Sequence, residues 1–252
     1  MKIHYLFFAF IFFCCCKKQV NVSAQTNQSA DSESLSTLQF SGYTWNVRNS
    51  NNHVQGPGKN RWDPNDVWLD SSGNLHLKIR KDTASERWYC AEVSTTQTFG
   101  YGTYQFWVEG AIDKFDKNIV LGLFNYSGAD GFDEMDIEIA RWGNKHWPNL
   151  NYTIYPQQNH TGIFSYTQQF TLNGTYTAHR FTRTATSVTL QSLHGFTNNN
   201  TNQFGTATCT NPPYFVSTLA MPVYINLWLF QGNPPSDKKE VEVIIHKFKF
   251  TP

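Results

Sequence analysis

Apolar and polar residues alternate in short runs along most of the chain from Phe40 onward. Gly, Asn, Asp and Pro separate these runs, and almost no stretch shows a helical period. Short alternating runs rich in β-branched and aromatic residues are typical of antiparallel strands. We therefore predict an all-β sandwich of two antiparallel sheets, with a hairpin turn at SSGN, 71–74. The predicted strands are TWNVRN, VWLD, LHLKIRK, WYCAEVST, TYQFWVEG, IVLGLFNY, EMDIEIA, LNYTIYP, HRFTRTA, SVTLQSL, PVYINLWLF and EVEVIIHKFKF.

One of these runs carries a row of acids, within the segment GFDEMDIEIARWG at 131–143. Glu134, Asp136 and Glu138 recur at every second position, with apolar residues between them. On a strand, this spacing places all three carboxylates on one face and the apolar side chains on the other. Like charges in such a row repel each other and do not favour folding. The row therefore indicates a function.

The spacing of the row suits acid and base chemistry on a sugar. With a rise of about 3.3 Å per residue, the Cα atoms of Glu134 and Glu138 are roughly 13 Å apart. Long side chains leaning toward Asp136 on a concave sheet could approach the separation of about 5 to 5.5 Å that retaining glycosidases need. One ionised carboxylate raises the pKa of its neighbour, which keeps a second acid protonated. The pattern alone does not tell which Glu has which role.

Two other interpretations of the row remain open: a solvated outer face, and a Ca²⁺ site. Aromatic neighbours favour a sugar cleft instead. Phe132, two residues before Glu134, falls on the same face, and Tyr224, Asn226 and Trp228 share one face of PVYINLWLF. Aromatic rings stack on the C–H faces of sugars, while amides and carboxylates bind their hydroxyls.

The N-terminus resembles an export signal. MKIHYLFFAFIFF has a lysine followed by an apolar run too short to span a bilayer. Residues 1–24 are predicted to be either a signal peptide cleaved after Ala24 or a lipoprotein signal with Cys16 acylated, and we slightly favour the lipoprotein. Residues 25–38 form a polar linker and residues 39–252 a single domain. We expect a secreted monomer or a cell-surface lipoprotein without a transmembrane segment in the mature chain.

The charge of the chain restricts the kind of molecule that it can bind. The net charge of +1 and the absence of a basic run argue against nucleic acid and favour a neutral partner.

An exported chain would allow Cys90 and Cys209 to form a disulfide, although the sequence does not fix their separation. Their pairing stays open.

These motifs resemble glycoside hydrolase family 16, whose mark is an E-x-D-x-E or E-x-D-x-x-E strand. DEMDIE at 133–138 matches the shorter form. The resemblance extends over roughly 40–252: the segments 56–79, 91–108 with its FGYG turn, and YINLW at 224–228 occur in the family's order.

The resemblance implies a concanavalin A-like jelly roll with a concave substrate cleft, and an endo-acting enzyme that retains anomeric configuration. By the same resemblance, Glu134 is the nucleophile, Asp136 the assisting residue and Glu138 the acid/base. It also implies a polysaccharide partner. The positions that match substrate-contacting residues are Glu92, Phe132, Asn226 and Trp228.

The short form of the motif indicates the substrate class. With no extra residue between Asp136 and Glu138, the resemblance is to lichenases and xyloglucan transglycosylases, which implies a β-1,3-1,4- or β-1,3-glucan. Ser94 and Gln105 depart from the family pattern, at positions where a substrate-binding Arg and a Glu are common. A transglycosylase of the same chemistry and a non-catalytic sugar-binding module remain alternatives.

Two structural features of relatives are not matched. Many members of the family hold a structural Ca²⁺ through a late Asp, but His246 aligns there and imidazole is a poor calcium ligand, so no cofactor is expected. In some lichenases the equivalent of Cys90 pairs with a cysteine in the segment around Asn60. That segment has none here, which leaves Cys209 as the partner.

Overall fold

The structure of the protein, a computed structural model, describes residues 36–252. The predicted signal and most of the predicted linker lie outside these residues. The first strand begins at Thr37, just before the predicted start of the domain at residue 39. Within the described part, no helix has the length and apolar character needed to cross a membrane.

Eight antiparallel strands form one layer, sheet A, which carries the acid row on β9. The strands are arranged in the order β1-β2-β6-β15-β8-β9-β10-β11, so that β9 lies between β8 and β10. Their bounds are Thr37–Phe40 (β1), Tyr43–Val47 (β2), Ala91–Thr95 (β6), Ile119–Tyr126 (β8), Glu134–Ala140 (β9), Leu150–Tyr155 (β10), Phe164–Gln168 (β11) and Val223–Leu229 (β15).

The second layer, sheet B, has the order β14-β13-β12-β7-β16-β4-β3, with β5 paired to β4. Together the two sheets form the predicted jelly-roll sandwich. The strands of sheet B are Val67–Leu69 (β3), Leu75–Lys81 (β4), Trp88–Tyr89 (β5), Gly102–Glu109 (β7), Tyr176–Arg183 (β12), Ser187–His194 (β13), Gln203–Thr210 (β14) and Val241–Thr251 (β16).

Every strand predicted from alternation is present, and the hairpin at 71–74 joins β3 to β4. Gly73 takes a φ of 79° there, and the Asp70 carboxylate accepts hydrogen bonds from the backbone N–H groups of Ser72 and Asn74. Three strands were not predicted. β1, β11 and β14 are rich in Thr, Ser and Gln and lie at or beside sheet edges, where no continuous apolar face is required.

The core lies between the sheets and consists largely of the apolar side chains predicted to face inward. Met135, Ile137 and Ile139 of β9 are fully buried. From sheet B, the rings of Tyr104 and Phe181 stack with centroids 4.5 Å apart. Burying one such side chain contributes about 1.5 to 3 kcal/mol, so this layer fixes which face of β9 points outward.

A polar cluster, the His179 network, also lies between the sheets. The Ser192 hydroxyl accepts from Tyr152 Oη at 2.8 Å and lies 2.8 Å from His179 Nδ1, while His179 Nε2 lies 3.0 Å from Thr177 Oγ1. All four residues are fully buried. Burial lowers the pKa of His179 to about 3, so the imidazole is neutral.

The disulfide between Cys90 and Cys209, which the sequence left open, is not formed: both are free, buried thiols. Cys90 precedes β6 and its Sγ lies 3.3 Å from Asn60 Oδ1, whereas Cys209 lies on β14 at the edge of sheet B. Burial raises the pKa of both thiols, that of Cys209 to about 11. The side chain of Asn60 contacts Cys90 and the backbone of Leu229.

Candidate active site

The acid row is built by the alternation of β9. Because Met135, Ile137 and Ile139 fill the core, Glu134, Asp136 and Glu138 point away from it on one face of sheet A, here named the carboxylate face. Asp136 is nevertheless only 5% exposed. The row is thus both outside the core and largely removed from water.

Neighbouring strands surround the row with aromatic and polar side chains. In the register of β8 and β10, each acid has one partner on either side. Directly opposed residues of adjacent strands are close enough for their side chains to touch. The flanking pairs are Tyr126 and Tyr155 for Glu134, Phe124 and Thr153 for Asp136, and Gly122 and Asn151 for Glu138.

All three acids have raised pKa values, and burial is the largest cause in each case. The pKa of Glu134 is raised to about 7, with the charge of Asp130 acting in the same direction. The pKa of Glu138 is raised to about 8 by burial and by the charge of Glu134. The pKa of Asp136 is raised well above its usual value by burial and by both neighbouring Glu charges. Near neutral pH this site can therefore hold a proton.

A hydrogen bond between Asp136 and Glu134 makes the row asymmetric. It lowers the pKa of Glu134 and raises that of Asp136, because a protonated Asp136 donates to an ionised Glu134. Among the described residues, no such donor lowers the pKa of Glu138. The arrangement can thus keep Glu134 ionised while Glu138 stays protonated, a difference that the two-residue spacing could not reveal.

A second polar group lies further across the carboxylate face, around Glu92 on β6. Glu92 Oε1 accepts from Arg48 Nη1 at 3.0 Å, and Oε2 accepts from Asn226 Nδ2 at 3.1 Å. Arg48 also lies over the Trp62 ring, 4.3 Å from its centroid. Burial raises the pKa of Glu92, while Arg48 and Asn226 act in the opposite direction. The predicted residues Glu92 and Asn226 are thus in direct contact.

Gly122 leaves a gap between Glu138 and Asn226, which flank it on the two neighbouring strands. A Cβ atom at Gly122 would lie 2.5 Å from Asn226 Oδ1. That oxygen is buried and accepts no hydrogen bond from the described residues. The gap therefore presents an unused acceptor beside Glu138.

The aromatic face predicted for β15 is present. Val223, Ile225 and Leu227 are fully buried in the core, so Tyr224, Asn226 and Trp228 share the carboxylate face. Tyr224 stacks on Phe124 with centroids 5.0 Å apart, and Trp228 lies 6.3 Å from Trp142.

The position of Phe132 does not follow from alternation. β9 begins at Glu134, and Asp133 has a left-handed φ of 50°, which interrupts the two-residue period. Phe132 closes a turn by donating its backbone N–H to Ala129 O at 3.0 Å. The alternation therefore does not extend to Phe132, and both the position of its ring on the face of Glu134 and a sugar contact stay predictions.

Sequence reasoning did not single out Arg48, Gly122, Tyr126, Tyr155 or Trp142. Tyr155 was detectable, because the alternation of LNYTIYP places it on one face with Asn151. Arg48 was not, because its contact with Glu92 depends on the pairing of β2 with β6.

His246 lies on β16 of sheet B, away from the acid row. Its Nε2 is 2.7 Å from Glu109 Oε2, and its ring lies against Phe196 with centroids 4.9 Å apart. Among residues 36–252, no group of three or more His, Cys, Asp or Glu side chains could hold a metal ion.

The fold is shared with solved β-glucanase structures. The Bacillus licheniformis β-glucanase has 18% identity and a TM-score of 0.64, over 88% of this chain and all of that one. A prokaryotic β-1,3-1,4-glucanase (lichenase) from a mouse hindgut metagenome has 21% identity and a TM-score of 0.57, over 82% of this chain and 92% of that one.

A third structure with the same fold is described as an immunostimulatory antigen and pseudo β-1,3-glucanase of Mycobacterium tuberculosis. It has 16% identity and a TM-score of 0.60, over 82% of this chain and 91% of that one. No protein-family model and no curated protein matches the sequence. The resemblance seen in the motifs is thus confirmed at the level of the fold.

Proposed function

We propose that the protein is a family 16 glycoside hydrolase that cleaves β-glucan internally with retention of anomeric configuration. The observation that carries this proposal is the row of three acids with graded pKa values on one face of β9. The proposed linkages are β-1,3-1,4 or β-1,3, and the proposed location is outside the cell, as a secreted protein or a surface lipoprotein.

The proposed mechanism is a double displacement. Ionised Glu134 attacks the anomeric carbon while Glu138 donates its proton to the leaving oxygen, which gives a covalent glycosyl-enzyme. Glu138, now a carboxylate, then takes a proton from water as the water attacks the same carbon and releases Glu134. Each step conserves the protons, since Glu138 gives one and regains one.

Asp136 acts through Glu134 in this mechanism. A protonated Asp136 donates to Glu134, which favours the ionised nucleophile and spreads its charge. When Glu134 forms the ester with the sugar, its negative charge disappears and the pKa of Glu138 falls, because that charge helps to raise it. Glu138 is then a carboxylate at neutral pH, as the second step requires.

Substrate contacts are proposed for the aromatic and amide groups around the row. Trp228 offers a ring, and Glu92 and Asn226 offer acceptors for sugar hydroxyls. The free Oδ1 of Asn226 beside Gly122 can accept a hydrogen bond from a hydroxyl of the sugar next to Glu138.

A non-catalytic sugar-binding role is the second candidate, because one protein with this fold is described as a pseudo β-1,3-glucanase. Wild-type protein that binds β-glucan but releases no reducing ends from lichenan, laminarin or xyloglucan would favour that role. Longer products at high oligosaccharide concentration would instead identify a transglycosylase.

Azide rescue tests the roles of the acids. Glu134→Ala should lose turnover of an activated aryl β-glycoside and regain it with azide, giving the inverted glycosyl azide. Glu138→Ala should give the retained glycosyl azide, because the covalent intermediate still forms. Glu86→Ala, at an exposed acid on the loop before β5, is the matched control and should behave as wild type. Exchange of the two products would refute the assignment.

A further inference from the structure

A pocket of about 570 Å³ opens beyond the Glu138 end of the acid row and has no part in the proposed mechanism. It lies where β8 begins and where β9 and β15 end. Its walls come from the segments 117–118, 142–144 and 230–238. The volume is in the range of sites that hold small molecules, roughly 300 to 1,000 Å³.

Unfavourable backbone conformations are concentrated in this pocket. Trp142, Gln231 and Lys238 have φ values of 49°, 56° and 57°, and all three line it. They are three of nine non-glycine residues with positive φ in the described chain. Such conformations cost of order 1 kcal/mol or more for side chains other than Gly and cluster at functional sites.

Hydrogen bonds hold the walls in place. Asn118 Nδ2 donates to Pro234 O at 2.8 Å, and Asn118 O accepts from the backbone of Phe230 at 2.7 Å. The backbone N–H of Gly143 donates to Lys117 O at 2.8 Å. The pocket is therefore preformed, which lowers the entropy that a ligand must lose on binding.

The lining of the pocket suits a sugar. The Trp142 and Phe230 rings meet edge to face with centroids 5.7 Å apart, and Trp142 lies 6.3 Å from Trp228 on the carboxylate face. Asn144, Asn233 and Ser236 add polar groups. A glycan on the carboxylate face can thus place one residue in the pocket.

The charge of the pocket is opposite to that of the acid row. Lys117 and Lys238 line it and no carboxylate does. Neither lysine takes part in any ion pair among residues 36–252. An anionic group on a glycan would be repelled by Glu134 and attracted to these two ammonium groups.

We propose that this pocket binds a sugar residue that carries an anionic substituent, a carboxylate or a sulfate, on the glycan held in the adjacent cleft. The inference rests on the proposed function, because it needs a glycan on the carboxylate face. It narrows the substrate class to β-glucans with acidic substituents.

Binding is measured by calorimetry in a Glu134→Ala background, where the glycan stays intact. The probes are laminarin oligosaccharides in unmodified, carboxymethylated and sulfated form. At low salt the anionic forms should bind about tenfold tighter than the unmodified one, and roughly 1 M NaCl should remove the difference by screening. Preference for one of the two anionic forms identifies the substituent.

Lysine variants test whether Lys117 and Lys238 cause the tighter binding of the anionic probes. Lys117→Ala with Lys238→Ala should abolish the anionic preference, and the corresponding double Arg variant should keep it. Lys247→Ala with Lys249→Ala, on β16 of sheet B, is the control, because it removes the same amount of charge away from the pocket. This variant should keep the anionic preference. Melting curves confirm that each variant is folded.

Equal affinity for the three probes, or equal loss of preference in the β16 control, overturns the proposal. Hydrolysis of neutral laminarin by the wild-type chain without an anionic preference overturns this inference alone. Absence of both binding and hydrolysis for every glucan overturns the proposed function and the inference with it.

Discussion

Two groups of largely buried polar side chains differ in how their hydrogen bonds and charges are satisfied. In the His179 network, both imidazole nitrogens and the Tyr152 hydroxyl meet partners at 2.8 to 3.0 Å, and no group is charged. In the acid row, burial raises the pKa of every member, and the charge of a nearby carboxylate raises each pKa further. The His179 network satisfies its hydrogen bonds within the protein, whereas the acid row keeps proton-donating and proton-accepting groups that a substrate can use.

The difference has an energetic meaning. Buried polar groups with all partners present stabilise a fold, whereas partly satisfied ones are costly. For each pH unit by which folding raises a carboxyl pKa, ionisation in the folded state costs about 1.36 kcal/mol more than in the unfolded chain. The row therefore lowers stability near neutral pH. Substitutions that neutralise an acid of the row should raise the free energy of unfolding, whereas substitutions in the His179 network should lower it.

The largest expected effect is on activity, from Glu138→Gln. Loss of the proton donor should lower kcat on β-glucan by about 10²- to 10⁴-fold. The neutral amide also removes a charge that is costly above the raised pKa of about 8, so the free energy of unfolding at pH 8.5 should rise by about 1 to 4 kcal/mol. Reducing-sugar assays and urea unfolding measure the two effects. Glu86→Gln is the control, and a less stable Glu138→Gln protein would contradict the comparison.

The next effect is on stability, from His179→Leu in the network. Ser192 and Thr177 would lose their partner, which should lower the free energy of unfolding by about 2 to 4 kcal/mol. Activity per folded molecule should stay within twofold of wild type, since His179 lies in the core and not on the carboxylate face. His53→Leu, at an exposed loop histidine, should leave stability unchanged. A large fall in kcat would show that the two groups are coupled.

Stability should also depend on pH in opposite ways for the two groups. Folding raises the pKa values of Glu134 and Glu138 to about 7 and 8, so the protonated acids contribute to stability. This contribution is fully present below pH 4.5 and is lost as pH rises through 7 to 8. The lowered pKa of His179, about 3, gives stability that is complete above pH 6.5 and lost as pH falls toward 3.

Between pH 6.5 and 8.5, where the contribution of His179 is constant, the wild-type free energy of unfolding should therefore fall by about 2 to 3 kcal/mol. Urea unfolding across this range measures it. Glu134→Gln with Glu138→Gln should flatten the fall, and His179→Leu should leave it unchanged. An equal fall in the double Gln variant would assign the pH dependence to other residues.

How much of this could be predicted from the sequence differs between the two groups. The acid row was visible because its members lie two residues apart on a single strand, and alternation fixes their common face. The His179 network was not, because it joins Tyr152 of sheet A to Ser192 of sheet B, and no local pattern encodes that contact.

The same limit applies within the site. Glu92 and Asn226 were predicted, but their link to Arg48 depends on strand pairing at a distance. The gap at Gly122 depends on the registers of β8 with β9 and with β15. Alternation also does not extend to Phe132, because the left-handed Asp133 interrupts the period one residue before the strand begins.

The smallest expected effect concerns Cys90 and Cys209, whose pairing the sequence had left open. A disulfide between them would close a loop of more than a hundred residues and stabilise the fold by about 4 to 5 kcal/mol. Its reduction would lower Tm by about 10 °C or more. Because the structure describes both as free buried thiols, a reductant should change Tm by less than about 1 °C. Thiol labelling of the unfolded chain, without reductant, should modify the peptides of both residues. A reductant-dependent fall of several degrees, with both peptides protected from labelling, would instead establish the disulfide.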